Sequence, residues 1–244
     1  MAQEKRQVLP FGVEKIDSHL PDGGLLQGAL HEVFAANAGI ATAFCALLAG
    51  KLAKEAEKGS ILWCERPRIL DSGMLYGPAF LQFGIDPEQL ILVRTRRDAD
   101  VLWAMEEGLR CKRIAAVVGE LVDISLTASR RLQLAAANTG VTGFILRPKT
   151  KNPPPSAAMT RWRLDAVSRD QSLDWCSGQT DENETGQAKK PGLGTARWQV
   201  DMFRCRGAAA ANWIMEWKDE TSDFSMVSKI CDRPSLPFTA RLVG

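Results

Sequence analysis

Apolar residues come in short runs separated by stretches of helical period, and the alternation repeats from about residue 30 to residue 148. "HEVF" (31–34), "SILWCE" (60–65), "QLILVR" (89–94), "RIAAVVGEL" (113–121) and "TGFILRP" (142–148) are apolar along most of their length, as strands buried on both faces are. Between them, residues 42–58, 97–111 and 126–140 carry apolar side chains at helical spacing; Gly59 is expected to end the first helix and Asp98 to cap the second. Residues 69–83 read as an irregular helix interrupted by Gly73, Gly77 and Pro78. Strands alternating with helices predict an α/β fold with a mostly parallel, helix-covered sheet.

After Pro148 the pattern changes. "PKTKNPPPSAA" (148–158) is a proline-rich connector, neither helix nor strand. "TRWRLDAVSR" (160–169) and "ARWQVDMFRCR" (196–206) share the pattern R-W-x-[LV]-D and alternate like half-buried strands, with Trp162, Leu164 and Ala166 on one face and Trp198, Val200 and Met202 on the corresponding one. "NWIMEWKDE" and "DFSMVSKI" read as a further strand pair, so antiparallel strands are expected to extend the sheet. The polar stretch 177–195 is expected to be a mobile loop and 236–244 a loosely docked tail. The expectation is one domain over 1–244, with an α/β core at 9–150 and a strand extension at 151–235.

Composition narrows the chemistry. With 244 residues, 45% of them hydrophobic and 25% charged, the chain can bury one sizeable core. No apolar run approaches the roughly 18 residues a membrane span needs, and "MAQEKRQVLPFG" has no apolar signal core, so a cytoplasmic location is expected. The six cysteines include no C-x-x-C pair and read as reduced thiols; with two histidines, a histidine-based metal site or a Ser-His-Asp triad is not expected. The net charge of +2 gives no strong overall field for nucleic acid.

The stretch "HEVFAANAGIATAFCALLAGK" (31–51) has the strand, small-residue turn and helix of a phosphate-binding loop. A working loop, G-x-x-x-x-G-K-[ST], supplies backbone N–H groups, a lysine and a magnesium-binding hydroxyl. Laid over residues 35–42, its first glycine becomes Ala35, its second Ile40 and its lysine Ala41; Gly39 lies between them and only Thr42 survives. Losing the buried charge partner of a phosphate costs about 2–5 kcal/mol. Lys51, ten residues past Ala41, stands roughly 15 Å further along the helix and cannot substitute. Efficient ATP hydrolysis is therefore not expected, and no cofactor is assigned. Glu65 and Glu120 end strands where open α/β sheets place ligands. Gly119 stands where a Walker B aspartate is expected, and strand ends are solvent-facing rims, so a plain surface carboxylate is favoured over a catalytic one.

"GVEKIDSHLPDGGLLQGALHEVFAANAGIAT" resembles the opening of the RecA-type ATPase core, with Glu32 and Val33 matching the lead into the loop strand. Together with "AAVVGEL", the two tryptophan strands, "NWIMEW" and the closing "DRPS", it resembles the ImuA family over residues 9–235. That resemblance implies a RecA-like fold and a non-enzymatic role in error-prone translesion synthesis during the SOS response. Implied partners are the RecA recombinase, an ImuB-like Y-family polymerase homologue and a second C-family DNA polymerase. The cell-division inhibitor SulA is a weaker relative, and a DNA-dependent ATPase with a degenerate loop is the enzymatic alternative.

Basic residues cluster locally. Arg94, Arg96 and Arg97 follow one strand, Arg147, Lys149 and Lys151 another, and Arg161, Arg163, Arg197, Arg204 and Arg206 flank the tryptophans. They would suit a single-stranded DNA track with Trp162 or Trp198 as stacking platform, or a protein interface. For the tryptophans, Trp213 and Trp217 included, core packing is favoured.

Overall fold

The structure, a computed structural model, describes residues 7–56, 59–66, 74–167, 197–218 and 223–226. At the amino end, β1 (Val8–Leu9) pairs antiparallel with β2 (Leu25–Leu26), and α1 (Glu14–Asp17) lies between them. The Asp17 carboxylate accepts from the backbone N–H groups of Phe11, Gly12 and Val13 at 2.7, 2.9 and 3.2 Å. This closes the turn that lays Phe11 and Ile16, both fully buried, onto the core.

The chain then alternates as its pattern predicts: β3 (Leu30–Ala35), α2 (Ala38–Glu55), β4 (Ser60–Glu65), β5 (Leu90–Arg94), α3 (Asp98–Arg110), β6 (Ile114–Glu120), α4 (Leu126–Thr139) and β7 (Thr142–Pro148). Next come β8 (Thr160–Ala166), β9 (Arg197–Cys205), β10 (Ala211–Lys218) and β11 (Asp223–Met226). All strands from β3 onward join one nine-stranded sheet in the order β11-β10-β9-β8-β3-β7-β6-β4-β5. The run from β8 to β5 is parallel, and β9, β10 and β11 extend it antiparallel. The fold is thus α/β with a mostly parallel sheet and a C-terminal antiparallel extension, as expected. At the open end of the β8–β9 pair, Val167 N–H donates to Arg197 C=O at 3.0 Å.

Alternation along the strands sends side chains into two cores. On one face α2 packs with Val33, Trp63, Val118, Phe144 and Leu164, and on the other α3 and α4 cover Leu62, Val117 and Ile145. α2 is buried almost all round, because the amino-terminal segment and residues 77–85 cover its outer side. A side chain at Gly50 would place its Cβ 2.3 Å from the Phe83 carbonyl oxygen, so glycine permits this close approach. Trp162, Trp198 and Trp213 are buried, as the core reading expects; the Trp162 ring lies 5.6 Å from Phe11, 5.9 Å from Phe44 and 6.2 Å from Trp213. Their indoles pack against protein and are not available to stack bases.

A polar chain runs through this core. Trp162 Nε1 donates to Thr160 Oγ1 at 2.6 Å, Thr160 lies 2.7 Å from His31 Nδ1, and His31 Nε2 lies 2.9 Å from the Leu26 carbonyl. The carbonyl can only accept, so Nε2 carries the proton and Nδ1 accepts from the threonine hydroxyl. Burial lowers the His31 pKa to about 4, against the opposing effect of the Leu26 bond, and the imidazole stays neutral.

Three local expectations are corrected. α2 begins four residues before Thr42, because the Asn37 side chain accepts from Gly39 N at 2.8 Å and caps it there. Asp98 does not cap α3; it is the first helical residue and its carboxylate pairs with Arg66. Of residues 69–83, Gly77–Phe83 is a 3₁₀ helix led by Pro78, residues 74–76 have no regular structure, and 69–73 lie outside the described residues. So do the expected mobile loop at 177–195 and the tail at 236–244. Among the described residues no helix is long and apolar enough to cross a membrane. Cys45, Cys64, Cys111 and Cys205 are free thiols.

Candidate functional site

The carboxyl ends of β3, β7, β6 and β4, neighbours in that order, lie along the sheet edge from which α2 starts, where an open α/β sheet would hold a phosphate. Between Ala35, the last residue of β3, and Ala38, the first of α2, only Ala36 and Asn37 remain. A loop that wraps phosphates needs more chain than this two-residue turn. Gly39, Ile40 and Ala41 are helical instead of forming the expected loop, and Ile40 and Ala41 are buried in the core beneath the helix. A β-branched residue tolerates helical backbone far better than the left-handed turn a phosphate loop asks of its glycine. The N–H of Gly39 is taken by Asn37, and Thr42, the fifth residue of the helix, is half-buried. Lys51 is also committed: its Nζ donates to the Phe11 carbonyl at 2.7 Å.

Glu65 and Glu120 are not the surface carboxylates their strand-end positions suggest; they are 2% and 6% exposed. The chain folds back over both. Glu65 accepts from Leu75 N at 2.8 Å and from Arg94 Nε at 2.7 Å. Glu120 accepts from Trp63 Nε1 at 3.2 Å and Arg66 N at 3.3 Å. Burial raises the Glu120 pKa, the bonds from Trp63 and Arg66 oppose this, and the Glu65 charge adds to it. Cys45 lies in the α2-side core and Cys64 in the opposite one; both thiols are pushed up by burial and then by Glu120, Cys64 to about 12, so neither is a reactive thiolate. Gly119 points the other way, into α3. A Cβ there would lie 2.1 Å from the Met105 sulfur, so an aspartate at this position would enter the core and miss the head of α2. Among the described residues no three His, Cys, Asp or Glu side chains converge as metal ligands.

The basic residues separate by environment. Arg147 and Arg161, expected as surface contacts, are 3% and 4% exposed. The connection from β7 to β8 (149–159) contains no helix, and on the face it crosses, guanidinium groups alternate with phenyl rings. Arg147 and Arg161 lie 5.1 and 5.3 Å from the Phe34 ring, and Arg161 and Arg163 lie 5.3 and 4.9 Å from the Phe203 ring. Glu32, fully buried, neutralises this layer: Oε2 accepts from Arg161 Nε at 2.7 Å, and Oε1 faces Arg147 Nη1 at 3.8 Å. Arg147 also donates to Asp123 at 2.7 Å and Arg161 to the Pro154 carbonyl at 2.9 Å. Charge forced under a helix-free crossover requires such an internal anion.

Lys149 pairs with Asp165 at 2.7 Å, Arg163 with Asp201 at 3.3 Å, Arg94 with Glu65, and exposed Arg97 with Asp100. Arg96, Arg204 and Arg206 remain exposed with no acidic partner among the described residues. The structure brings Arg204 and Arg206 together with Arg130 of α4, which sequence reasoning did not single out. Its signal was present: Leu126, Arg130 and Leu134 share one helix face, and both leucines are exposed.

No protein-family model matches the chain. Among curated proteins it is similar to two named Protein ImuA, from two strains of Caulobacter vibrioides, each 32% identical over 241 residues that cover 92% of this chain and 91% of the relative.

Proposed function

The chain belongs to the ImuA family, and from that premise we propose that it is a non-catalytic accessory protein of SOS-induced, error-prone translesion synthesis. In this reading it bridges the RecA recombinase and a polymerase complex containing an ImuB-like Y-family homologue, with a second C-family polymerase as a further partner. It acts in the cytoplasm through its surfaces and turns over no nucleotide.

The observation that carries the reading is the two-residue turn between β3 and α2. Of the groups a triphosphate would need there, only the Thr42 hydroxyl is kept: no lysine stands in the first turn of α2, one amide is capped by Asn37, and Glu65 and Glu120 are turned inward onto protein donors. An α/β core preserved without its phosphate grip supports a role in binding macromolecules. The test is an equilibrium titration with a fluorescent ATP analogue and Mg²⁺, with and without single-stranded DNA, paired with size-exclusion chromatography of the chain mixed with its ImuB homologue. Expected are no saturation below about 1 mM nucleotide and a complex that forms without ATP. Micromolar nucleotide affinity, or no complex, overturns the reading; the first result would favour a DNA-dependent ATPase.

A further inference from the structure

On the face opposite α2, a groove of about 480 Å³ runs between α4, the connection that follows β7, and the end of β9. Leu126, Arg130 and Leu134 line one side, Pro155 another, and Arg204 and Arg206 the third. Its walls are fixed by hydrogen bonds. Ser129, fully buried on α4, accepts from Ala157 N at 3.1 Å and donates to the Leu126 carbonyl at 2.9 Å. The Arg206 N–H donates to the Met159 carbonyl at 2.9 Å and ties the end of β9 to the same connection. Such a groove is present before any partner arrives, which lowers the ordering cost of binding.

The lining has a specific chemical character. It contains three arginines and no carboxylate, and none of the three has an acidic partner among the described residues. α4 itself contains no Asp or Glu, and the neighbouring Arg131 is turned away to Glu106. Leu134 and Leu126 are 62% and 37% exposed and sit eight residues apart on one helix face, roughly 12 Å along the axis. Two leucines bracketing an arginine, with two more arginines across the gap, match an amphipathic segment with apolar anchors and flanking carboxylates. No aromatic side chain lines the groove, so it offers no platform on which nucleic-acid bases would stack.

We propose that this groove is a docking site for an acidic amphipathic helix of a partner protein. The inference rests on the partner-binding reading above, but on a surface apart from the head of α2. The probe is a fluorescein-labelled synthetic peptide of roughly 15 residues with leucines at i, i+4 and i+7 and glutamates between them, followed by fluorescence anisotropy. Expected is saturable binding with a Kd of about 1–100 µM, weaker at higher salt. Arg130→Glu, Arg204→Glu and Arg206→Glu together should weaken it by at least about tenfold, and Leu126→Ser with Leu134→Ser by a similar factor. All five positions are exposed, and an unchanged circular dichroism spectrum checks that each variant is folded. Absence of saturable peptide binding, binding indifferent to both sets of substitutions, or groove-dependent binding of oligothymidylate in place of the peptide overturns the proposal. Failure of the peptide leaves the nucleotide titration unaffected, and tight nucleotide binding would sink the accessory reading without changing the anisotropy result.

Discussion

Replacing Glu32 by alanine tests whether the arginine layer depends on its internal anion. The carboxylate is fully buried, 2.7 Å from Arg161 and 3.8 Å from Arg147. Its removal leaves two guanidinium groups under the β7–β8 connection with less negative charge than before. Breaking a buried pair by removing one partner costs about 3–5 kcal/mol. Arg147 would keep Asp123 and Arg161 would keep the Pro154 carbonyl, and both would keep aromatic faces, so the loss falls at the lower end, about 3 kcal/mol. At about 2–4 °C per kcal/mol for a chain of this size, Tm should fall by about 6–12 °C. Urea denaturation followed by circular dichroism measures the loss directly, with a lower midpoint and an unchanged m-value. Glu32→Gln, which keeps an acceptor for Arg161 but no charge, should lie between wild type and Glu32→Ala. A loss below about 1 kcal/mol for the alanine variant, the range of exposed pairs, would refute the argument that this layer is desolvated.

Two further outcomes follow from buried groups. Unfolded His31 takes up its proton near pH 6.5 and the folded imidazole only near 4, so its contribution, about 3 kcal/mol, is present at neutral pH and disappears as pH falls through that window. The stability advantage of wild type over His31→Gln should shrink between pH 7 and pH 4 in denaturant titrations; parallel pH curves would contradict the buried neutral assignment. Gly119→Asp, which restores the acid of a hydrolytic strand, should destabilise by about 1–3 kcal/mol or more by pressing on Met105, and should yield no ATPase activity. A variant as stable as wild type in the same assay would mean that the space exists after all.

The strands were legible because those buried on both faces must be apolar throughout: "SILWCE" and "AAVVGE" could be read directly, and β4 and β6 match them. The antiparallel extension was legible for a different reason: its tryptophan strands alternate apolar with polar positions, as strands buried on one face do. The start of α2 was not, because small residues at 35–39 suit both a loop and a capped helix, and the choice rests on one Asn37 hydrogen bond. Strand-end position suggested exposure for Glu65 and Glu120, but Trp63 and Arg66 come over Glu120 from 57 and 54 positions away, and Leu75 folds back over Glu65 from ten. Arg161 alternates as a surface residue would and Arg147 stands near a strand end, and nothing local reveals that a helix-free crossover lies above them. The groove was missed because its three arginines come from α4 and β9, separated by more than seventy positions.

The hydrogen bond between Val167 and Arg197 has a consequence for how this molecule tolerates change. It brings the two attachment points of residues 168–196 together on adjacent paired strands, so the sheet has already closed the gap those residues span. For a flexible segment added between two ends closed in this way, closure entropy grows only logarithmically with length, about 0.6 kcal/mol per doubling. A flexible tag spliced in between these anchors would therefore take little stability from the sheet.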